Sequence, residues 1–322
     1  MQITRDQVAK KARVSSATVS RVFNNPESVS PPLREAVLLA ARSLGYTPNK
    51  AAGLLRRKGT GVIAFVELSK EQRPYYWGNL DSFDWFFGRS LRGIQEAIKD
   101  TTWQLRFCKV GNRSELEAIE SQCDGILAYD VDTSEEMALF ASLSVPSVLS
   151  HHCPERMGLS TMRTDNYVGG ILQGDYLKSH NCTNPLYITG YLDTVQPHRQ
   201  RLEGFLSVFP HALVLETTIG SPDAIARIYE EVVTYIQQGS VDSFAAVNDL
   251  TLFELLLTSK SSLPSVGYDA SPFYRLFSGP VASVDIQSGD IYRRATSLLL
   301  SLIGGSGPEN RVVVPRLVEL CS

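Results

Sequence analysis

The stretch SSATVSRVFNN, residues 15–25, places hydroxyls, a small side chain, an arginine and two asparagines around two valines and a phenylalanine. Read as a helix from about 16 to 23, it buries Val19 and Val22 or Phe23 and turns Ser16, Ala17, Thr18, Ser20 and Arg21 outward. An arginine can fork onto O6 and N7 of guanine, an alanine can meet a thymine methyl, and Ser or Thr can reach phosphates or base edges. Ser16, Ala17 and Arg21 are therefore candidates for base-edge contact, and Thr18, Ser20 and Asn24 for positioning on phosphates. Ser16 or Thr18 taken alone is an ordinary solvated residue; only the whole constellation carries the reading.

Two neighbouring helices are needed to hold this one. Thr4 is a good N-cap and Val8 and Ala12 follow four apart, which predicts a helix over 5–12. Ser15 can cap the second helix, and about three residues between the two give the spacing of a helix-turn-helix. A third helix starts at Ser30-Pro31-Pro32, carries Val37, Leu38, Ala41 and Leu44 at helical spacing, stops at Gly45 and is barred from continuing by Pro48. Charge follows the same boundary. Residues 1–58 hold 11 Lys+Arg against 3 Asp+Glu, and the remaining residues hold 20 against 31, so a basic head precedes an acidic body within a chain of net charge −3. A polyanion partner is implied for the head alone.

At 322 residues, 43% hydrophobic and 20% charged, the chain has room for two or three domains with a sizeable core. It has no run of 18 apolar residues and opens on polar residues, so the cytoplasm is the expected location. The five cysteines, Cys108, Cys123, Cys153, Cys182 and Cys321, show no C-x-x-C pair or zinc spacing and read as reduced thiols. No nucleophile elbow, dinucleotide fingerprint or P-loop follows a strand, which argues against an enzyme and against any metal or cofactor.

After Gly59-Thr60-Gly61 the pattern changes to alternating apolar strands and amphipathic helices, from VIAFVE at 62–67 to a strand at 264–268. That alternation predicts two parallel sheets flanked by helices. Ligands sit at the carboxyl ends of such strands. The segments there bring Tyr75, Tyr76, Trp77, Trp85, Tyr129, Asp130, His151, His152, Tyr191, Asn248, Asp249, Tyr268 and Asp269, a mixture of rings, carboxylates and amide suited to stacking on a sugar and bonding its hydroxyls. The stretch KEQRPYYWGNLDSFDW at 70–85 is read as a long loop, either an aromatic wall or a surface excursion.

The head pattern, with Val8-Ala9, Ala12, Val14-Ser15, Thr18-Val19-Ser20-Arg21-Val22, Asn24, Val29-Ser30, Arg34 and Leu44 to Asn49, resembles the headpiece of the lactose/galactose repressor family of bacterial transcription regulators. Arg13 stands where that family usually has glycine. The body signatures are weaker but ordered: Phe86-Phe87 with Leu91-Arg92-Gly93-Ile94-Gln95, Asp165-Asn166 with Gly169-Gly170, Arg201 with Gly204-Phe205, Asn248-Asp249, and Val266 to Asp269. The resemblance implies DNA contact through Thr4, Ser15, Ser16, Ala17, Thr18, Ser20, Arg21, Asn24 and Ser30. It also implies a hinge helix bringing Asn49 and Ala52 to the DNA, with Leu55 as a minor-groove wedge that kinks a base step. Gly53, where a bulkier residue is usual, weakens that helix by up to about 1 kcal/mol.

For the body the resemblance implies effector contact by Trp85, Phe86, Tyr129, His151, Arg201, Asn248 and Asp269. His151 replaces a usual Asp or Asn and warns against assuming lactose or galactose. The implied architecture is an all-α headpiece over 1–48, a hinge over 49–59, and a periplasmic-binding-protein-like body of two Rossmann-like lobes. The first lobe takes 60–157 plus about 286–310, the second 158–285 plus about 311–322. The implied function is a homodimeric repressor of carbohydrate-utilisation genes on a palindromic operator, controlled by a sugar. A purine-responsive regulator and a solute binder without DNA function are the alternatives. No heptad run follows the last strand, which favours a dimer over a tetramer.

Overall fold

The structure, a computed structural model, describes residues 5–24, 29–44, 46, 59–69, 84–131, 133–151, 158–219 and 223–319. The chain separates into two compact units, Met1–Lys58 and Gly59–Ser322.

The first unit holds α1 (Arg5–Ala12), α2 (Ser16–Asn24) and α3 (Pro31–Leu44). Val8, Val19 and Val37 are fully buried, with Ala9, Val22, Val29, Ala40 and Ala41 around them. Burying each valine stabilises the fold by about 1.5–3 kcal/mol relative to exposure. Phe23 and Tyr46 close one end edge-to-face at 5.9 Å. Arg13 takes the left-handed turn conformation, φ 56°, while the Val14 amide returns to the Ala9 carbonyl at 3.0 Å. A side chain at such a φ costs about 1 kcal/mol more than glycine would, and the helical turn tolerates it.

The second unit contains two six-stranded sheets with helices between strands. One has the order β11-β5-β4-β3-β1-β2, every neighbour parallel. Its strands are β1 (Val62–Leu68), β2 (Gln104–Val110), β3 (Gly125–Val131), β4 (Ser147–His151), β5 (Ser160–Thr164) and β11 (Asn310–Val313), and its own helices are α4 (Asp84–Ile98), α5 (Arg113–Glu120) and α6 (Ser134–Ala141). The other has the order β12-β10-β9-β8-β6-β7, parallel except at β10–β12. Its strands are β6 (Pro185–Thr189), β7 (Leu213–Glu216), β8 (Ser243–Ala246), β9 (Ser265–Tyr268), β10 (Val281–Asp285) and β12 (Arg316–Glu319). Its helices are α7 (Asn166–Ser179), α8 (Gln196–Val208), α9 (Tyr229–Gln237) and α10 (Asp249–Ser259). The chain passes between the sheets after β5, after β10 through α11 (Ser288–Ile303), and after β11.

Three expectations change. The first sheet runs past residue 157, because Ser160–Thr164 pairs between β4 and β11. That strand buries serine and threonine rather than an apolar stripe, so hydropathy does not mark it. RVVVPRLVEL, read as one closing strand of the second lobe, is two strands in different sheets. Pro315, with no N–H and a fixed φ, stands between them. The helix expected over 222–238 begins only at Tyr229. Upstream, the Ile225 amide donates to Glu254 and the Ala224 carbonyl accepts from Thr217, so tertiary partners take groups an α-helix would use.

Candidate functional site

On the head, α2 presents its outer face through a capped N-terminus. The Ser15 hydroxyl accepts from the Thr18 amide at 3.0 Å and lies 2.9 Å from the Thr18 hydroxyl. Ser15 and Thr18 are thus engaged in holding the helix start, as N-cap residues are. Arg21 and Ser30 are exposed, and Ser16 is half-buried. The backbone of Ala17, Ser20 and Asn24 lies in α2, and their side chains are outside the described set, as are Thr4, Asn49, Ala52 and Leu55 altogether.

In the body, the structure brings Arg201, Asn248 and Asp269 together at the carboxyl ends of the second sheet. Arg201, on α8, is 6% exposed. Its Nε donates to Asn166 Oδ1 at 3.0 Å, its Nη1 to the Val247 carbonyl at 2.7 Å, and its guanidinium lies 3.7 Å over the Tyr268 ring. Its Nη2 is 3.8 Å from Asp269 Oδ1. A buried cation is costly unless surrounded in this way; the reward is a guanidinium whose direction is fixed.

Close helix packing makes that position possible. A side chain on Gly170 of α7 would overlap the Arg201 carbonyl, and one on Gly204 of α8 the Tyr167 carbonyl. The two glycine signatures of the sequence are one contact.

Asp269 and Ala270 both have positive φ, 92° and 51°. Strain of this kind persists only where the surroundings over-determine it. Here the Asp269 amide donates to the Val284 carbonyl at 2.7 Å, and the Ala270 amide to the Ser283 hydroxyl at 2.9 Å. The Ser271 amide donates to Asp249 Oδ2 at 2.6 Å, and the Ser283 hydroxyl to Asp249 Oδ1 at 2.7 Å. Burial pushes the Asp249 carboxyl well above its ordinary range. Asp249 is thus the buried post around which the Asp269 turn is wound. Asn248 caps α10, its side chain accepting from the Thr251 amide at 2.9 Å.

The first sheet faces the same region with rings. Tyr129, half-buried at the end of β3, lies 5.4 Å from Phe65, 5.8 Å from Phe86, 5.7 Å from Phe87 and 5.8 Å from Tyr292. Phe86, only 7% exposed, also packs with Tyr268, Val284 and Ile286 of the second lobe. His151 is the last residue of β4 and Trp85 lies in the first turn of α4, not in a loop; their side chains are outside the described set, as is 70–83.

Sequence reasoning gave no site role to Asn166, Ser283 and Gln173, and named Asp249 and Tyr268 among the strand-end residues without assigning either a role. Gln173 is fully buried and donates to the Ala246 and Gly267 carbonyls at 2.8 and 3.0 Å, tying β8 to β9 below the site. The available signal was the D-N and N-D pairs, whose second members were in hand but unassigned. Among the described residues no group of three or more His, Cys, Asp or Glu could hold a metal, and no helix is long and apolar enough to cross a membrane.

Comparison with known proteins sharpens this picture. Residues 4–49 match the family model described as bacterial regulatory proteins, lacI family. The chain is 28% identical to the sucrose operon repressor of Pediococcus pentosaceus over 92% of this chain and 91% of that protein. It is 26% identical to the transcriptional repressor PurR of Pasteurella multocida over 95% and 93%. A solved transcriptional regulator CelR–cellobiose complex shares the fold with a TM-score of 0.67, at 24% identity and full coverage of both chains. Residues 4–49 thus carry the lacI-family headpiece pattern, and over nearly its whole length the chain is similar in sequence to repressors and in fold to a solved regulator.

Proposed function

We propose that this regulator represses carbohydrate-utilisation genes by binding a palindromic operator as a homodimer, and that a sugar seated between the lobes of its body changes operator affinity. The observation that carries the effector half is the Arg201–Asp269 pair: a fork donor and a two-oxygen acceptor 3.8 Å apart, both fixed by buried partners. Vicinal hydroxyls of a sugar can bridge such a pair. Asn248 supplies a further amide donor, Tyr129, Phe86 and Trp85 the stacking rings, and His151 a hydroxyl partner. No cofactor is needed. The relatives' names, a sucrose operon repressor and a cellobiose complex, support sugar over other ligands.

On the DNA side, Ser16, Ala17 and Arg21 read base edges. Thr4, Thr18, Ser20, Asn24 and Ser30 position the headpiece on phosphates, and Ser15 holds the helix start against them. Asn49, Ala52 and Leu55 act in the hinge, with Leu55 entering the minor groove. Two apolar side chains support self-association: Leu257 on α10 is 68% exposed and Leu276 79%. Stacked Phe253 and Phe277, 4.7 Å apart, bring their two segments together. A second copy would cover this face and set the half-site spacing. The site of action is the bacterial cytoplasm, on chromosomal DNA.

A purine-class effector is the second reading, favoured by the PurR relative and by the ring-lined wall. A thermal-shift screen of sugars against nucleobases tests both, repeated on Asp269→Ala. A sugar that raises Tm only in the wild type supports the proposal; stabilisation by purines alone transfers the site to the second reading, and unchanged sugar stabilisation in the variant removes Asp269 from it.

A further inference from the structure

Asp124 stands one residue before β3 and holds the three residues by which the chain enters the body. Its carboxylate accepts two consecutive backbone amides, Thr60 on Oδ1 at 2.8 Å and Gly61 on Oδ2 at 2.5 Å. Its own amide donates to the Val62 carbonyl at 2.8 Å, and the Gly61 carbonyl accepts from the Gln104 amide of β2 at 2.9 Å. Amides given to a charged oxygen are the stronger class of hydrogen bond. The fit leaves little slack. A Cβ on Gly59 would stand 2.6 Å from Asp124 Oδ1, Gly61 takes a φ of 73°, and a Cβ on Gly125 would stand 2.9 Å from Leu299 and Ile303 of α11.

The second lobe repeats this arrangement. Asp242, one residue before β8, accepts from the Thr183 amide at 2.6 Å and the Asn184 amide at 3.0 Å, and its own amide donates to the Asn184 carbonyl at 3.1 Å. β8 is the parallel neighbour of β6 as β3 is of β1. The two cases differ in what precedes the held pair. Thr183-Asn184 follows α7 within the body, whereas Thr60-Gly61 follows the segment expected to be the hinge. The carboxylate at Asp242 therefore serves the fold alone, while the one at Asp124 also fixes the point at which the chain leaves the body for the head.

We propose that Asp124 is a positioning residue for operator binding, acting through its grip on Thr60 and Gly61 and touching neither DNA nor effector. The inference rests on the reading of 49–59 as a hinge in an operator-binding dimer. In such a dimer the two hinge segments must reach one operator at a separation set by the two bodies. An exit point held by two bonds to one carboxylate arrives with that separation already narrowed. A loose exit point must be restricted at each binding event, and ordering it then weakens affinity.

The test uses the full chain and the palindromic duplex that the wild type selects from a random pool, titrated by fluorescence anisotropy, with a thermal melt of each variant. Asp124→Asn keeps one acceptor and Asp124→Ala none; Asp242→Asn and Asp242→Ala make the same changes in the second lobe. The duplex Kd is expected to rise about tenfold in Asp124→Asn, the loss of one charge-assisted bond, and further in Asp124→Ala. The salt slope should stay that of the wild type, because the headpiece cations are untouched. Asp242→Asn should lower Tm to a similar extent yet leave the duplex Kd within about twofold of the wild type. A duplex Kd unchanged in Asp124→Asn, or raised equally in Asp124→Asn and Asp242→Asn, overturns the proposal while the operator reading stands. A wild type that selects no duplex overturns the operator reading and the proposal with it.

Discussion

The two lobes meet the cleft with different chemistry. The second lobe offers Arg201, Asn248 and Asp269, each committed in advance by buried bonds to Asn166, Val247, Thr251 and the Asp249–Ser283 network. The first lobe offers Tyr129 and Phe86 within a cluster of rings that has contact area but little direction. The division separates two tasks. In the proposed reading, fixed polar groups lose little freedom on binding and so choose among hydroxyl patterns, whereas rings contribute affinity that is tolerant of a sugar's identity.

Mutations should divide along the same line. The largest effect is expected in Asp269→Ala, which removes a charged acceptor of two hydroxyls and should weaken the effector about a hundredfold by titration calorimetry. A loss no greater than that of Tyr129→Ala would erase the distinction between the lobes. Gly170→Ala comes next. Its methyl group overlaps the Arg201 carbonyl, so overpacking should cost about 1–3 kcal/mol and lower Tm by several degrees, with effector affinity falling in parallel because the arginine moves. Tyr129→Ala should weaken the effector about tenfold, and Tyr129→Phe hardly at all; a large loss in Tyr129→Phe would show that the ring is read through its hydroxyl.

The smallest effect concerns the buried post. Because burial raises the Asp249 carboxyl well above its ordinary 3.8, the folded state holds that proton more tightly than the unfolded chain does. Its contribution to stability is therefore full below about pH 4 and declines as pH rises toward the folded value. Asp249→Asn imitates the protonated group at every pH. The wild-type Tm minus the variant Tm should fall between pH 4 and pH 8, and a rise would contradict the assignment.

The same contrast explains what was legible in the sequence. The headpiece was, because its valines recur at helical spacing and its boundaries carry Ser15, the Pro31-Pro32 pair and Gly45; α1, α2 and α3 fall within a residue or so of expectation. The regular βα units were too, since apolar strands such as VIAFVEL stand out. Ser160–Thr164 did not stand out, because its burial is secured by pairing on both edges rather than by side-chain hydropathy. Arg201, Asn248 and Asp269 could be picked from family resemblance, but a single sequence gives no distance between residues 201 and 269. Asp249 could be named at a strand end, but its role could not. Its role arises from a strained turn and a serine 34 residues away, and neither is local to it.

The central claim joins a DNA-reading head to a sugar-responsive body, and one measurement addresses both halves. Full-length protein is used to select DNA from a random pool, and the enriched site is titrated by fluorescence anisotropy with and without the sugar found by thermal shift, at several salt concentrations. The account predicts a palindromic site, affinity that falls steeply with salt as headpiece cations release counterions from phosphates, and a shift in Kd on adding the sugar that is absent in Asp269→Ala. No enriched palindrome, or a palindrome whose affinity ignores both salt and sugar, would contradict it.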